Sequence, residues 1–259
     1  MSAEAPLIHF ETRGQGSDVV LLHGWGLHGG VWDRIADRLA EQHAVHLVDL
    51  PGHGLSPAPT HATIDAVTGR IADAFPLPVH VVGWSLGGLV GQHWAATRPD
   101  AVRSLTLTAT SPRFVRAPDW PHAQEAAQIE AVGASLATAF DATLTRFLAL
   151  QTLGSDSARE TLATLRRDLF AHGRPQGLEA MLEVLVRSDL RAGAAAIACP
   201  TLLLFGLRDA ITPIGAGRWL AGQIADSRLV EFPRASHAPF LSHEADFLAA
   251  LTTFLTEHD

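Results

Sequence analysis

The sequence contains no lysine, no tyrosine and a single cysteine, Cys199. Without lysine, the chain cannot form a Schiff base, a phosphate-loop lysine contact or a Ser-Lys dyad, and without tyrosine it has no phenolic acid or base. One cysteine excludes an internal disulfide and a multi-cysteine zinc site, so we interpret Cys199 as a buried structural thiol. These absences remove several catalytic classes before any motif is considered.

Basic charge and long apolar runs are also scarce. The 19 basic residues, all arginines, face 27 acidic residues, which gives a formal net charge of −8. That balance disfavours binding to nucleic acid or to an anionic membrane. No apolar run is long enough to span a bilayer, and the opening MSAEAPLIHF lacks the basic and apolar segments of a secretion signal. We expect a cytoplasmic monomer.

The chain of 259 residues suits one large domain that alternates strands with helices. Six short apolar runs are typical of buried parallel strands: Val19 to Leu22, Val45 to Leu50, Val79 to Val82, Leu105 to Ala109, Leu202 to Phe205 and Leu229 to Phe232. Helical spacing of apolar residues follows most of these runs. We therefore predict an α/β fold, with a mostly parallel sheet covered by helices on both faces.

The alternation stops between about residues 111 and 190, where only helical patterns occur. Such a stretch between two strands is best explained as an insertion. We predict a core formed by residues 1–112 and 190–259, and a helical lid formed by residues 113–189.

The strongest motif is Gly83-Trp84-Ser85-Leu86-Gly87, which matches G-x-S-x-G and lies between the apolar run VHVV and the helical pattern LGGLVGQHWAA. A nucleophile elbow needs this order of strand, sharp turn and helix, with small residues on both sides of the serine. A turn with an incidental serine would not need that context. We predict that Ser85 is a nucleophile that forms an acyl-enzyme.

A serine nucleophile needs a base and a group that orients the base. His237 follows the predicted strand RLVEF, and Asp209 follows the predicted strand TLLLF. The order Ser85, Asp209, His237 is the order found in α/β-hydrolases, and each residue follows a strand, where sheets of this kind gather their sites. We predict that these three residues form a catalytic triad.

Other histidines and aspartates are weaker candidates for the triad. His53 and Asp49, in VDLPGHG, precede the serine and are more typical of a tight turn, while Asp189 and Asp226 lack a preceding apolar strand. Elsewhere, His43 and His46 flank a predicted strand and point to opposite faces, so we expect no metal site.

The oxyanion of the reaction needs two backbone N–H donors. Leu86, directly after the nucleophile, is expected to supply one of them. The second is expected from Trp25, in the glycine-rich loop His23-Gly24-Trp25-Gly26 after the first predicted strand. The indole of Trp25 is also expected to form a wall of the pocket.

The same loop imitates a dinucleotide fingerprint, because residues 24–29 read G-x-G-x-x-G and Asp49 lies twenty residues beyond Gly29. The helical pattern begins only near Gly30, however, and LPGHG follows Asp49 directly. The chain also lacks the tyrosine and lysine of short-chain dehydrogenases. A Rossmann-type oxidoreductase is therefore disfavoured, and we expect no cofactor.

Five segments, HGWGLHGGVW, VDLPGHGLS, GWSLGGLV, RFLALQTLG and SHAPFLSH, resemble the biotin-synthesis carboxylesterases, the pimeloyl-[acyl-carrier protein] methyl ester esterases of the α/β-hydrolase superfamily. The resemblance runs over nearly the whole chain, and RFLALQTLG is its most discriminating part. It implies the α/β-hydrolase fold, the triad and the oxyanion pair. It also implies a substrate site made of Trp25, Ser85, Leu86, Phe147, Leu148, Ala149, Leu150, Gln151 and His237.

That family removes the methyl ester from a pimeloyl chain carried on acyl carrier protein. Because acyl carrier proteins are acidic, the resemblance implies that arginines on the inserted helices contact this partner, and Arg146 and Arg159 are the expected contacts. The chain departs from the family at Ala142 and Ala163, where further arginines are expected.

Besides the disfavoured Rossmann-type oxidoreductase, three alternatives remain open at this point. A general short-chain carboxylesterase or a carbon–carbon bond hydrolase would use the same triad. A non-catalytic ligand receptor could share the scaffold, although an intact triad argues against it.

Overall fold

A computed structural model of the chain describes residues 8–59, 62–169 and 171–259, so the first seven residues of the predicted core lie outside the described residues. The described part is built on a seven-stranded sheet with the order β1-β3-β2-β4-β5-β6-β7. The strands are β1 His9–Arg13, β2 Ser17–Leu22, β3 His43–Asp49, β4 Val79–Trp84, β5 Val102–Thr108, β6 Thr201–Gly206 and β7 Ser227–Phe232. All neighbouring strands pair in parallel except β1, which is antiparallel to β3.

Helices connect and cover these strands. They are α1 Asp33–Leu39, α2 Ile64–Ala72, α3 Leu86–Thr97, α4 Ala126–Thr152, α5 Ala158–Asp168, α6 Leu178–Arg187, α7 Ile214–Gln223, α8 Pro239–Ser242 and α9 Glu244–Glu257. Strands β4 and β6 are buried along their whole length, so both faces of the sheet are covered. Across the described ranges, no helix is both long and apolar enough to cross a membrane.

Each of the six predicted runs coincides with a strand, although those ending at Leu50 and Ala109 extend one residue beyond β3 and β5, and the mostly parallel sheet is confirmed. Strand β1 was not predicted, because its sequence HFETR is half exposed at the sheet edge and lacks an apolar pattern. The prediction for Cys199 is also confirmed: the thiol is buried, and burial raises its pKa to about 11.

The helices α4, α5 and α6 lie between β5 and β6, within the predicted lid of residues 113–189. Helix α4 is bent at Ala139, whose φ of −144° and ψ of 51° are not helical. Between residues 113 and 189, the described part of the chain forms isolated bridges but no strand. The limits of the lid stay a prediction, and this stretch is called the insertion below.

Candidate active site

Ser85 lies in the turn between β4 and α3, where the sequence predicts a nucleophile elbow. Its backbone angles, φ 54° and ψ −114°, lie in a region that residues other than glycine rarely adopt. Its N–H donates to the carbonyl of Thr108 (3.0 Å), and its own carbonyl accepts from the hydroxyl of Thr110 (2.6 Å). These bonds to the end of β5 hold the strained residue in place, and Ser85 lines the adjacent pocket.

The glycines of the motif permit this turn. A Cβ atom on Gly87 would lie 2.3 Å from the carbonyl oxygen of Leu22, and a Cβ atom on Gly83 would lie 2.4 Å from the carbonyl oxygen of Gly87. Both distances are far below van der Waals contact. The two glycines are therefore required because strand β2, strand β4 and helix α3 approach one another here without room for a side chain.

Asp209 and His237 lie together at the carboxyl ends of β6 and β7. His237 Nδ1 is 2.7 Å from Asp209 Oδ2, and both side chains are buried. The other carboxylate oxygen, Oδ1, accepts from the N–H groups of Ile211 (2.8 Å) and Thr212 (3.0 Å). Because a carboxylate only accepts, we assign the proton to Nδ1 of His237, which leaves Nε2 with a free lone pair.

The backbone of His237 is fixed on both sides. Its N–H donates to the carbonyl of Gln151 (3.0 Å) at the end of α4, and its carbonyl accepts from the indole of Trp84 (2.8 Å). Nε2 is buried and has no hydrogen-bond partner among the described residues, so Ser85 does not donate to it here. Such catalytic bonds commonly form only when substrate binds. His237 is therefore oriented as a base, and its Nε2 can accept a proton because no described residue bonds to it.

The backbone N–H groups of the two expected oxyanion donors are also available to a substrate. Leu86 begins α3, Trp25 lies in the loop after β2, and neither backbone N–H donates to another described backbone carbonyl. The indole of Trp25 donates to the carbonyl of Leu178 (2.9 Å) and packs edge-on against Phe147, with ring centroids 5.1 Å apart. Trp25 therefore joins the loop to the insertion.

Two buried histidines support the loop that carries Trp25. His53 Nε2 accepts from the N–H of Gly26 (3.1 Å), and His23 Nε2 accepts from the N–H of Leu50 (2.9 Å). Burial lowers the pKa of His53 to about 4 and that of His23 to about 3. Both side chains are therefore neutral at pH 7, as an acceptor role requires. His53, the rival candidate for the catalytic base, instead binds the loop that carries the expected oxyanion donor Trp25.

The rival aspartates also have other partners. Asp49 accepts from the N–H groups of Gly29 and Leu55, both at 2.8 Å, so it closes the loop itself and leaves no free carboxylate for a ribose. The hydrogen bond from Arg191 holds the pKa of Asp189 well below its usual range. These contacts explain both residues without a catalytic role.

A cavity of about 410 Å³ opens above Ser85. Its lining is mostly apolar and comes largely from the insertion: Phe114, Ile129, Val132, Phe147, Leu150, Leu182 and Leu185, with the polar residues Gln124 and Gln128. An apolar pocket with few polar groups beside a nucleophile suits an aliphatic acyl chain.

Only two of the residues expected to form a substrate wall, at positions 147–151, line the pocket in the structure. Phe147 and Leu150 line the pocket, whereas Leu148, Ala149 and Gln151 do not. The reason is the helical period of α4, in which residues three apart share a face. Leu148 is buried in the core instead, and Gln151 acts through its carbonyl on His237.

Arg146 and Arg159 lie on the surface of the insertion, on α4 and α5. Both are exposed, and neither forms an ion pair within the part of the chain that the structure describes, in contrast to Arg174, which pairs with Asp141 at 3.0 Å. Arg146 also lines a small cavity that shares Phe147 and Leu150 with the pocket above Ser85. It therefore stands close to the pocket.

Two residues of this site were not found from the sequence. Thr212 bonds to the carboxylate of Asp209, and the amide of Gln124 donates to the carbonyls of Ala210 (2.6 Å) and Ile211 (2.8 Å). The position of Thr212, three residues after an aspartate that follows a strand, was a usable signal, because such spacing is typical of side-chain-stabilised turns. Gln124 gave no comparable signal.

Comparison with known proteins identifies the class. The model of the alpha/beta hydrolase family matches residues 19–251, and the chain belongs to that family. Among solved structures, an esterase from Exiguobacterium antarcticum superposes with a TM-score of 0.88 at 23% identity, covering 96% of this chain and 95% of that one. The enol-lactonase from Burkholderia xenovorans LB400 gives 0.85 at 26% identity, covering 96% of both chains.

The relatives in sequence are more specific. A protein of Chromobacterium violaceum is 63% identical over 95% of this chain and 96% of its own length. Proteins of Nitrosomonas europaea (42% identical, covering 93% and 97%) and Stenotrophomonas maltophilia K279a (44%, covering 96% of each) are also similar. All three are named pimeloyl-[acyl-carrier protein] methyl ester esterase, and this chain falls within that group of carboxylic ester hydrolases.

Proposed function

We propose that this chain hydrolyses the methyl ester of pimeloyl-[acyl-carrier protein] methyl ester, which releases methanol and pimeloyl-[acyl-carrier protein] for biotin biosynthesis. The observation that carries the proposal is the apolar pocket in which Ser85 stands beside Phe147 and Leu150, in a chain 63% identical to an esterase of that name. The enzyme acts in the cytoplasm as a monomer, and residues 113–189 act as its lid.

In the first half of the reaction, Ser85 attacks the ester carbonyl carbon while its proton passes to Nε2 of His237. Asp209 accepts from Nδ1 and stabilises the imidazolium. The carbonyl oxygen becomes an oxyanion that the N–H groups of Trp25 and Leu86 bind. When the carbon–methoxy bond breaks, the methoxy oxygen takes the proton from Nε2 and leaves as methanol, and the acyl group remains on Ser85.

In the second half, water replaces methanol. His237 removes a proton from water as the oxygen attacks the acyl carbon, and the same two N–H groups hold the second oxyanion. The bond to the Ser85 oxygen then breaks, and that oxygen takes the proton back from Nε2. The product is the free carboxylic acid, which ionises, and the enzyme returns to its starting state.

The remote end of the substrate faces the surface. The methylene groups of the pimeloyl chain lie against Phe147 and Leu150, so the thioester and the carrier protein remain outside the pocket. Arg146 and Arg159 then bind acidic groups of the carrier protein. Individual exposed ion pairs contribute only about 0.2–1 kcal/mol to binding. The two arginines therefore orient the carrier protein more than they increase its affinity for the enzyme.

Complementation tests the substrate. A biotin-auxotrophic strain that lacks this esterase should grow without biotin when it expresses the chain, and should not grow with the Ser85→Ala variant expressed to the same level. Soluble expression of the wild type without growth would contradict the proposed substrate.

Rates in vitro separate this function from that of a general esterase. The kcat/KM for the carrier-bound methyl ester should exceed that for free dimethyl pimelate, because only the former uses Arg146 and Arg159. Equal values would favour a general short-chain carboxylesterase. Absence of Ser85 labelling by a fluorophosphonate would instead favour a non-catalytic receptor.

A further inference from the structure

Thr212 occupies the junction between the two partners of the serine. It follows β6 and is 1% exposed. Its hydroxyl donates to Oδ2 of Asp209 at 2.6 Å, and Nδ1 of His237 donates to that same oxygen at 2.7 Å. The hydroxyl oxygen is also 3.3 Å from Nδ1 of His237. One buried hydroxyl therefore contacts both residues that activate Ser85.

The donors around Asp209 divide into two sets with different consequences. Backbone N–H groups of Ile211 and Thr212 bind Oδ1, and these two bonds are enough to form the turn. The hydroxyl of Thr212 binds only Oδ2, the oxygen that faces the imidazole. The side chain of Thr212 is thus not needed to close the turn, and its bond falls where it restrains the carboxylate relative to His237.

The direction of the protons supports the same conclusion. Nδ1 of His237 carries its own proton and points it at Asp209, so the hydroxyl of Thr212 has no acceptor there and donates to Oδ2. With both oxygens bonded, the carboxylate cannot rotate about χ2 without losing a bond to a charged acceptor in a buried site.

We propose that Thr212 is a positioning residue for ester hydrolysis: its hydroxyl holds Oδ2 of Asp209 where it receives Nδ1–H of His237, and so directs Nε2 towards Ser85. The inference rests on the Ser-His-Asp hydrolysis of the proposed function, but not on the pimeloyl substrate.

Two matched pairs of variants isolate the hydroxyl of Thr212. The first compares Thr212→Val with Thr212→Ser, and the second compares Thr212→Ala with Thr212→Ser. Thr212→Val replaces it with a methyl group of similar size, and Thr212→Ser keeps it while removing the methyl group. With p-nitrophenyl butyrate as substrate, Thr212→Val should lower kcat about tenfold or more with KM nearly unchanged, because a bond to a charged group is lost away from the substrate. Thr212→Ser should retain kcat within about twofold.

Where Thr212→Val does not fold, as judged by circular dichroism, Thr212→Ala compared with Thr212→Ser supplies the second pair, which differs by the hydroxyl alone. A spectroscopic measurement accompanies the kinetics. The downfield proton resonance of His237 Nδ1–H should shift or broaden in the Val or Ala variant and remain in the Ser variant. A purely structural role would lower stability without moving this resonance.

The outcomes are distinguishable from those that test the substrate. Wild-type kcat in Thr212→Val, or an equal loss of kcat in Thr212→Ser, overturns the role of the hydroxyl and leaves the proposed function intact. A wild-type enzyme that hydrolyses p-nitrophenyl butyrate but not the carrier-bound methyl ester overturns the proposed substrate and leaves the role of Thr212 testable.

Discussion

His53 contacts a backbone amide in the loop that carries Trp25, the expected oxyanion donor. Nδ1 of His53 lies 3.2 Å from the carbonyl of Pro51 and donates to it, which leaves Nε2 to accept from Gly26, the residue after the expected oxyanion donor Trp25. This bond connects the loop after β3 to the loop after β2. Burial lowers the pKa of His53 to about 4, so its imidazole is neutral and remains an acceptor at pH 7.

Replacing His53 with an apolar side chain that cannot accept a hydrogen bond should therefore lower kcat. We expect His53→Leu to reduce kcat about tenfold with little change in KM, because a misplaced oxyanion donor weakens binding of the transition state more than that of the ester. His53→Gln can place an acceptor oxygen near the position of Nε2, and it should retain most of the activity. Steady-state kinetics with p-nitrophenyl butyrate measure the difference, and equal rates for both variants would contradict this role.

Single residues were predictable from the sequence when their partners are close in the chain or when order fixes their role. Ser85 was identified by its own pentapeptide, and Asp209 and His237 by their order after two strands. The role of His53 was not predictable, because its partner Gly26 lies 27 positions away and is reached only when the loops after β2 and β3 meet. From a single sequence, a histidine that serves as a buried hydrogen-bond acceptor cannot be distinguished from a histidine that only lies in a turn.

At the scale of elements, the insertion is tied to the catalytic loops at both ends of α4. Gln124, before α4, donates to the carbonyls after Asp209, and the carbonyl of Gln151, in the last turn, accepts from His237. Beyond α4, Arg208 donates to Asp156 (2.6 Å) and to the carbonyl of Gly154 (2.8 Å). Hydrogen bonds on both sides of α4 therefore attach the insertion to the loops that carry Asp209 and His237.

Breaking the pair between Arg208 and Asp156 should loosen this framework. We expect Arg208→Gln and Asp156→Asn each to lower the free energy of unfolding by less than about 1 kcal/mol, because both side chains are half exposed, and to lower kcat a few-fold. Hydrogen exchange in residues 150–157 and 207–213 should accelerate. The double variant should cost less than the sum of the two single variants, since the contact between Arg208 and Asp156 is lost in all three.

A matched control is Arg218→Gln, which removes a surface ion pair with Glu231 between α7 and β7. It should change stability by a similar amount and leave kcat unaltered. If Arg218→Gln and Arg208→Gln lower kcat equally, the ion pair at Arg208 has no special connection to the site.

Elements were predictable where burial left a periodic signal. The five inner strands, β2 to β6, are mostly buried and appear as apolar runs. The edge strand β7 is only partly buried but still carries Leu229 and Val230, whereas the edge strand β1 is partly exposed and carries Glu11 and Arg13. The long helical insertion was recognised by its helical spacing. Its attachment to the catalytic loops was not, since backbone carbonyls such as that of Gln151 leave no mark on residue type.

At the scale of the whole molecule, the net charge of −8 opposes approach of an acidic carrier protein. Local positive charge is therefore required. We expect Arg146→Gln and Arg159→Gln each to raise KM for the carrier-bound methyl ester a few-fold, with kcat/KM for p-nitrophenyl butyrate unchanged, because the small ester does not reach them.

The control for charge alone is Arg103→Gln. Arg103 is exposed at the amino end of β5, at the opposite edge of the sheet from Ser85, and its replacement changes the net charge equally. It should leave KM for the carrier-bound ester near the wild-type value. A rise as large as that of Arg146→Gln would show that total charge, and not the insertion, controls the encounter.

Buried histidines should also make the stability of the whole molecule sensitive to mild acid. Burial lowers the pKa of His23 to about 3, and those of His53 and His80 to about 4, all from an ordinary value of 6.5. Between pH 6.5 and pH 4 the unfolded chain therefore binds protons that the folded chain does not. Stability should be constant above this window and fall within it, by at most about 1.4 kcal/mol per pH unit for each histidine.

Urea unfolding at pH 7, 6 and 5 measures this dependence. Carboxylates such as Glu11, whose hydrogen bond from Arg13 keeps its pKa below the ordinary 4.5, lose their stabilisation only at lower pH and so do not account for a fall in this window. His23→Gln keeps an acceptor near Leu50 but cannot take up a proton, so its slope should be smaller than that of the wild type by up to one proton. A free energy of unfolding that is equal at pH 7 and pH 5 would contradict the lowered pKa values of these histidines, because the folded and unfolded chains would then bind the same number of protons. A His23→Gln slope equal to that of the wild type would contradict the lowered pKa of His23 in particular.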